Sequence, residues 1–261
     1  MMISTLVRFL FAYVITLTIE LDMGIGNLRI MKWLHENGIV WTRDTFSRAA
    51  KQGSLENIKW LYEKGCPWGS DTFYEAAEHG DLVIMKWLYE KGCPWGEHTF
   101  AGAAYRGDLV NMKWLYAKEC LWGELTFTWA AQHGDLDNME WLHKNECPWG
   151  EFTFSRAALN GCIGNMKWLY DKKCPWGEGT FSGAAELGDL DILKWLYEKE
   201  CPWSEDTFYY AAEEGSLENV KWLFEKQCPW GETSISICRW SGGVKDHIID
   251  WMKDNGCPHD I

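Results

Sequence analysis

The chain has 261 residues, 47% of them hydrophobic and 24% charged, and this composition excludes an intrinsically disordered chain. The formal net charge is −13, from 25 Lys and Arg residues against 38 Asp and Glu residues. An acidic surface repels phosphate backbones, so the charge argues against a nucleic-acid partner and favours a protein partner with a basic patch.

The first segment, residues 1–17, is apolar, and its hydrophobic run continues from Phe9 to Ile19. This run is shorter than the roughly 20 residues that a membrane-spanning helix needs, and no clear cleavage site follows it. One interpretation is a worn-down capping repeat or gene-start artefact in a cytoplasmic protein. The other is a targeting segment, which would make the protein membrane-associated or secretory.

From about residue 18 to the C-terminus, the sequence repeats a unit of 27 residues. The first Thr of the unit recurs as Thr45, Thr72, Thr99, Thr126, Thr153, Thr180 and Thr207. A degenerate unit precedes these, and a further unit that begins at Ser234 and carries two extra residues near Gly242-Gly243 follows them. We therefore expect a single repeat domain over residues 18–261 with about nine units, each packed on its neighbours.

Each unit is predicted to form two helices and no strand. In the unit that starts at Thr72, this Thr and Glu75 have the spacing of a capping box at the start of the first helix. The small Ala76-Ala77 pair lets this helix approach its neighbours closely, and Gly80 is expected to end it.

The second helix of the same unit is expected to begin after Asp81, whose carboxylate would cap it. Pro94 disfavours the helical conformation at Cys93, so the helix should stop at about Gly92. Its buried stripe is predicted to comprise Leu82, Met85, Trp87, Leu88 and Tyr89.

One cysteine recurs in each unit: Cys66, Cys93, Cys120, Cys147, Cys174, Cys201, Cys228 and Cys257. Stacked helices lie roughly 10 Å apart, whereas a disulfide needs Cα atoms within about 7 Å. Equivalent cysteines should therefore stay reduced and pack as small apolar groups, which favours a reducing compartment and the cytoplasmic interpretation.

The pattern Ala76-Ala77-x-x-Gly80-x-Leu82, followed by an apolar helix, resembles the ankyrin repeat. Trp87-Leu88 occupies the Leu-Leu position of that family, and the residues from Cys93 to Trp95 occupy its Ala-Asp-Val position. The resemblance implies an all-α solenoid of stacked helix-turn-helix repeats, and it implies protein–protein interaction as the function.

The units are shorter than the 33-residue ankyrin repeat. The missing residues fall between Trp95 and Thr99, where ankyrins carry a β-hairpin finger. The sequence therefore looks like the short variant found in large DNA viruses, algae and other protists, which lacks the long finger.

Comparison of the units shows that the third, fourth, seventh and eighth positions vary, and all lie on the first helix. The fourth, seventh and eighth share one face, which lines the concave surface in ankyrin-like stacking. Because Trp, Tyr and Arg are enriched at binding hot spots, we expect a partner to bind this face; the alternative is sequence drift on a solvated face. The candidate partner-binding residues are Tyr105, Arg106, Trp129, His133, Arg156 and Tyr210.

A column of glutamates precedes the first helices: Glu97, Glu124, Glu151, Glu178, Glu205 and Glu232. These residues would either form an acidic ridge for a basic peptide or supply capping charge at the helix N-termini, and the second reading is favoured.

The sequence carries no catalytic motif. It has no C-x-x-C pair, its histidines have no fixed ligand spacing, and Gly24-Ile25-Gly26 lacks the third glycine of a dinucleotide loop. We therefore expect no enzymatic activity, cofactor, metal or small-molecule substrate, and a monomeric binding module or adaptor. A structural spacer solenoid and an interaction protein targeted to a membrane by its N-terminus are the alternatives.

Overall fold

The structure, a computed structural model, describes residues 27–230 and 246–256. Over these residues it contains sixteen helices and no strand. In chain order they are α1 Leu28–Glu36, α2 Arg43–Lys51, α3 Leu55–Glu63, α4 Ser70–His79, α5 Leu82–Glu90, α6 Glu97–Arg106, α7 Leu109–Ala117, α8 Glu124–His133, α9 Leu136–Lys144, α10 Glu151–Asn160, α11 Ile163–Asp171, α12 Glu178–Leu187, α13 Leu190–Glu198, α14 Glu205–Glu214, α15 Leu217–Glu225 and α16 Asp246–Asp254.

Helices α2 to α15 form seven complete pairs, one for each repeat that begins with Thr, so the predicted all-helical repeat is confirmed over the described residues. The apolar segment 1–17, Gly24-Ile25-Gly26, Glu232, the start of the last unit at Ser234 and Cys257 lie outside the described residues. No helix in the described ranges is both long and apolar enough to cross a bilayer.

Contacts between Cα atoms divide the chain into two compact structural units, each of which holds several 27-residue repeats. The first unit is Met1–Trp122 and the second unit is Gly123–Ile261. The described part of the first unit holds α1 to α7, and that of the second holds α8 to α16. Both are built from the same helix pair, which is described below for the repeat that contains α4 and α5. The single repeat domain over residues 18–261 stays a prediction.

The first helix of the repeat begins two residues before Thr72. Gly69 is the N-cap, Thr72 is the third helical residue, and the Gly69 N–H donates to Thr72 Oγ1 at 3.5 Å. The Thr72 N–H in turn donates to the Gly69 carbonyl at 3.0 Å. The prediction that Thr72 itself caps the helix was therefore wrong. Its hydroxyl satisfies the amide of the N-cap residue from inside the first turn, a role that capping boxes usually give to Glu or Gln.

The turn between the two helices follows the prediction. Gly80 ends α4 with φ of 90°, a left-handed conformation that glycine adopts without the steric cost of a Cβ. Asp81 then caps α5, because its Oδ1 accepts the N–H groups of Val83 at 2.8 Å and Ile84 at 3.1 Å. These bonds satisfy two donors that the helix itself leaves unpaired.

Within each unit, the first helices of successive repeats pack directly on one another, whereas each first helix contacts its own second helix less extensively. Phe73, Ala76 and Ala77 are fully buried at this contact. Because alanine side chains are small, the backbones of α2, α4 and α6 can approach closely, as the sequence predicted.

The second helices contact one another more sparsely, and this changes the predicted core. Ile84, Met85 and Leu88 are fully buried, but Leu82 and Trp87 are half-buried and Tyr89 is exposed. The prediction that Leu82, Trp87 and Tyr89 are buried was therefore wrong. Flat aromatic side chains bridge the wider gap between second helices and keep one edge in solvent.

The tryptophan of the Cys-Pro-Trp segment shows this bridging. The Trp95 ring lies 5.3 Å from Phe73 and 5.0 Å from Tyr89, both in its own repeat, and 6.1 Å from Trp114 in the next. Aromatic pairs at such separations stabilise a fold by about 0.5–1.5 kcal/mol beyond the burial of their area.

The repeated cysteine completes the C-terminal cap of the second helix. The Gly92 N–H donates to the Tyr89 carbonyl and the Cys93 N–H to the Leu88 carbonyl, the two bonds of a Schellman motif. Cys93 Sγ also lies 3.5 Å from the carbonyl oxygen of Gly69 in the preceding repeat. Seven cysteines of the column, from Cys66 to Cys228, are free and buried, so their predicted unpaired, packed state is confirmed.

Candidate functional site

The six candidate partner-binding residues fall into two sets, one in each unit. Tyr105 and Arg106 end α6 in the first unit and are exposed. The second unit carries Trp129 and His133 on α8, Arg156 on α10 and Tyr210 on α14. Of these four, His133 is exposed and the others are half-buried.

The eighth position of the repeat lies at the junction with the preceding repeat. The Arg106 side chain passes 3.3 Å from the place that a Cβ on Gly80 would occupy. At the same position of another repeat, Asn160 donates from Nδ2 to the Gln132 carbonyl at 2.8 Å. Arg106 therefore packs over the end of α4, and only part of its side chain is available to a partner.

The fourth position faces outward in the second unit, where it carries Trp129, Arg156, Gly183 and Tyr210 on successive first helices. The Arg156 guanidinium lies over the Trp129 ring, 5.4 Å from its centroid. A cation over an indole face is held by the electrostatic field of the ring. The two helices α8 and α10 thus present one joined aromatic and cationic surface.

A groove of about 450 Å³ runs beside this pair. Helix α12 forms its floor, because both Gly179 and Gly183 leave the outward face of that helix bare. The walls come from α10 on one side and from α14 on the other. The lining residues are Phe152, Ser155, Arg156, Leu159, Glu178, Gly179, Ser182, Gly183, Glu186, Ser204, Asp206 and Tyr210.

Close helix packing explains one of the two glycines. A Cβ on Gly183 would lie 2.9 Å from the Ser155 carbonyl oxygen, and one on Gly102 would lie 3.1 Å from the Tyr74 carbonyl oxygen. In the first unit, however, the Tyr74 ring covers Gly102 and lies 3.2 Å from the place that a Cβ on this glycine would occupy. Ser155 holds the position of Tyr74 in the second unit and is too short to do the same, so the groove stays open.

Phe152, which lines the groove, and Leu125, which lies on α8, are exposed apolar side chains that the sequence prediction missed. Phe152 is 67% exposed and Leu125 is 47% exposed. Both occupy the position just before the repeated Thr, which was not among the four variable positions considered. A signal was present in the sequence, since the other repeats carry Asp44, Asp71, His98, Gly179 and Asp206 there.

The groove is acidic. Glu178, Glu186 and Asp206 line it with Arg156, and none of the three carboxylates forms an ion pair with a residue in the described ranges. Glu97, Glu124, Glu151, Glu178 and Glu205 are each the first residue of a helix, where a negative charge meets the positive end of the helix dipole. This position fits the capping interpretation, and Glu178 faces the groove as well.

No group of three or more His, Cys, Asp or Glu side chains within the described residues is arranged to hold a metal ion. The Ser155 and Ser182 hydroxyls in the groove donate to the carbonyls of Glu151 and Glu178, one turn back in their own helices.

No protein-family model matches the chain, and no curated protein matches it. Among solved structures, it is similar to the pentatricopeptide repeat protein PPR10 in complex with an 18-nt psaJ RNA element, with 12% identity and a TM-score of 0.46. That match covers 88% of this chain and 42% of the other. The structure of PPR10 from maize matches with 9% identity and the same TM-score over 87% of this chain and 42% of that one.

The chain thus spans about two fifths of the length of these structures, and a similarity this weak carries no argument about function. What the geometry of the described residues establishes is that this chain is an all-helical repeat protein with an acidic, apolar-walled groove on the first-helix side of its second unit.

Proposed function

We propose that this chain is a non-enzymatic, ankyrin-like interaction module that binds a protein partner on the first-helix face of its second unit. The observation that carries the proposal is the groove over α12, with the exposed Phe152 in its lining. Exposed apolar groups gathered around a concave site are typical of surfaces that bind other molecules.

The ankyrin-like subtype is supported by local geometry. The buried Ala76-Ala77 pair, the left-handed Gly80 and the Asp81 cap reproduce the helix-turn-helix that the ankyrin pattern implies. Between Trp95 and the start of α6 at Glu97 the chain has only Gly96, which leaves no room for a finger.

A binding role is favoured over catalysis because the serine hydroxyls of α10 and α12 in the groove are bonded to backbone carbonyls. A serine nucleophile needs a general base within hydrogen-bond reach. The Ser155 and Ser182 hydroxyls instead lie 3.2 and 3.3 Å from backbone carbonyls of their own helices. The carboxylates beside them supply charge for recognition.

A protein partner is favoured over a nucleic acid because of charge. The whole chain carries a formal charge of −13, and three carboxylates against one guanidinium line the groove. Phosphate backbones bind surfaces rich in Lys and Arg, whereas this groove complements a basic polypeptide.

Site-specific photo-crosslinking tests the proposal. A photoreactive phenylalanine analogue at Tyr210 should crosslink a protein in cells that make this chain. The same analogue at Glu198, exposed on the second-helix side of the same unit, should give much less product.

Trp129→Ala should then reduce recovery of the crosslinked protein. Recovery with Tyr105→Ala, in the first unit, tests whether both parts of the predicted site contribute to binding. Equal recovery with wild type and Trp129→Ala would contradict the proposal, and so would a crosslinked product made of RNA. An absence of crosslinks at both positions would favour the spacer interpretation.

A further inference from the structure

We infer that the groove over α12 receives an extended peptide segment in which a Lys or Arg is flanked by apolar side chains. This inference rests on the proposed function and specifies the chemistry of the partner. Three features support it: the bare floor of the groove on α12, the distance between its walls α10 and α14, and the charge of the carboxylates that line it.

The floor is open because of a glycine that close helix packing does not require. The position of Gly179 carries Asp71, Leu125, Phe152 and Asp206 in other repeats, so a side chain is tolerated there. Gly179 is the second residue of α12, and glycine loses more conformational freedom on folding than any other residue. A Cβ at this glycine would meet only the Ser155 side chain, at 3.2 Å from its hydroxyl oxygen and 4.0 Å from its Cβ. Gly179 therefore lowers stability and, in the folded chain, exposes the backbone of α12 to a ligand.

The width of the groove selects an extended chain. Its walls, α10 and α14, are separated by one intervening helix, which places their axes roughly 18 Å apart at ordinary packing distances. Two helix radii of about 5–6 Å each leave roughly 7 Å between the walls. A helix about 10–12 Å across does not fit in this space, whereas an extended strand with its side chains directed at the walls does.

The carboxylates that line the groove favour a cation in the bound segment. Glu178, Glu186 and Asp206 lack ion-pair partners among the described residues, and Arg156, the cation beside them, is drawn onto the Trp129 ring. A Lys or Arg side chain in the groove would form charge-assisted hydrogen bonds with these carboxylates. An acidic segment would meet uncompensated negative charge.

The apolar side chains of the two walls favour apolar residues on either side of that cation in the bound segment. Phe152 and Leu159 project from α10, and Tyr210 projects from α14. Since successive side chains of an extended strand point to opposite sides, a basic residue directed at Asp206 on α14 would direct both of its neighbours at Phe152 and Leu159 on α10. Burial of such side chains supplies affinity, and the cation supplies specificity.

The test begins with random twelve-residue peptides displayed on phage and selected against the whole protein. We expect enriched sequences to place a Lys or Arg between apolar residues. A labelled synthetic copy of an enriched peptide is then titrated with protein and followed by fluorescence anisotropy. Acidic or uniformly polar consensus sequences, or no enrichment at all, would overturn the inference.

Two variants fill the groove; Gly179→Leu removes no contact, and Ser155→Tyr removes only the hydrogen bond from the Ser155 hydroxyl to the Glu151 carbonyl of its own helix. Ser155→Tyr gives the second unit the tyrosine with which Tyr74 covers Gly102 in the first, and Gly179→Leu adds the side chain that Leu125 carries at the same register. Each should weaken peptide binding at least tenfold. The matched control is His98→Leu, which adds leucine at this register in the first unit and should leave binding unchanged.

Charge is tested separately. The double variant Glu178→Gln, Asp206→Asn keeps the shape of the groove and should weaken the basic peptide at least fivefold. The same peptide with its Lys or Arg replaced by Gln should bind wild type and this variant equally. Circular dichroism and urea unfolding confirm that each variant is folded before titration.

The outcomes separate this inference from the proposed function. If binding of the native partner depends on Trp129 but Gly179→Leu and Ser155→Tyr leave binding of the selected peptides unchanged, only the groove inference fails. If Trp129→Ala leaves the native partner fully bound, the proposed function fails. A labelled single-stranded RNA that binds more tightly than the peptides would overturn both.

Discussion

The Arg156 guanidinium lies over the Trp129 ring, with 5.4 Å between its central carbon and the ring centroid. Both residues occupy the fourth position of their repeats, so the pair joins α8 to α10 on the first-helix face. The contact fixes the cation beside the groove over α12 and holds a flat aromatic surface next to it.

Loss of this contact should lower stability modestly. A partly exposed cation–π pair contributes about 0.5–1 kcal/mol, so Arg156→Met should reduce the free energy of unfolding by about that amount. A double-mutant cycle with Trp129→Leu, measured by urea unfolding and far-UV circular dichroism, should return a coupling energy of the same size. A coupling near zero would show that the two side chains are merely adjacent. Lys167→Met, an exposed change on α11, controls for loss of positive charge.

The residue before each repeated cysteine offers a second prediction. Gly92 adopts φ of 74° there, but Glu200 adopts φ of 58° at the same position of a later repeat. A non-glycine residue in this conformation costs about 1–2 kcal/mol, offset in part by the roughly 0.5–1 kcal/mol of chain entropy that glycine loses on folding. We expect Glu200→Gly to raise the free energy of unfolding by about 0.5–1 kcal/mol and Gly92→Glu to lower it by a similar amount. The test is the urea midpoint of unfolding, compared between variants whose unfolding free energies depend equally on urea concentration. Midpoints of the two variants that shift in the same direction relative to wild type would refute the prediction.

A buried asparagine near the start of the second helix should stabilise the protein only where it links two repeats. Asn219 donates from Nδ2 to the Gly188 carbonyl of the preceding repeat at 2.8 Å. Asn111 is equally buried, but neither its Nδ2 nor its Oδ1 has a hydrogen-bond partner among the described residues. Ile84 and Ile192 occupy the same position in other repeats, so isoleucine fits there.

We therefore expect opposite results from the same substitution at the two sites. Asn219→Ile leaves the half-buried Gly188 carbonyl without this partner and should cost about 0.5–1.5 kcal/mol, whereas Asn111→Ile removes two unpaired polar atoms and should be neutral or stabilising. Thermal unfolding of the two variants side by side tests this difference. Equal losses of stability would contradict it.

The cysteine column should make the protein less stable in alkali. Burial raises the pKa of the thiols from the ordinary value of 9.0 to about 12 in Cys66, Cys93, Cys120, Cys147, Cys174, Cys201 and Cys228. An unfolded thiol loses its proton near pH 9, but the folded one keeps it until about pH 12. Above pH 9 the unfolded state therefore binds fewer protons, and stability falls as pH rises through this window.

Urea unfolding at about pH 8 and about pH 10.5 should show this decrease. Other groups also titrate in the window, so the matched control is Cys174→Val, which should lose less stability between the two pH values than wild type. An identical loss in this variant would show that Cys174 does not contribute to the pH dependence.

Much of the fold was predictable because the local signals recur with fixed spacing. Gly80, Asp81 and Pro94 mark helix ends by their own backbone chemistry, and Ala76-Ala77 marks the closely packed face. The start of the first helix was placed too late because a threonine is a common N-cap. The sequence alone did not reveal that its hydroxyl acts from the third helical position.

The candidate site was predicted only in part. Arg156 and Tyr210 line the groove and Trp129 contacts Arg156, but Phe152, Gly179 and Gly183 were missed. Large side chains that differ between repeats stand out in the sequence, whereas the groove forms where two glycines lie on one helix. A missing side chain leaves an open groove only when neighbouring helices form walls on both sides of it.

The sequence by itself determined the helix pair, its repetition and the separate, reduced cysteines, because these depend on spacing along the chain. The tertiary structure decided which side chains are exposed. First helices pack closely while second helices diverge, so Phe73 is buried and Tyr89 is not. It also decided that Ser155 leaves Gly183 uncovered where Tyr74 covers Gly102, because that depends on how far a side chain reaches across the space between neighbouring helices.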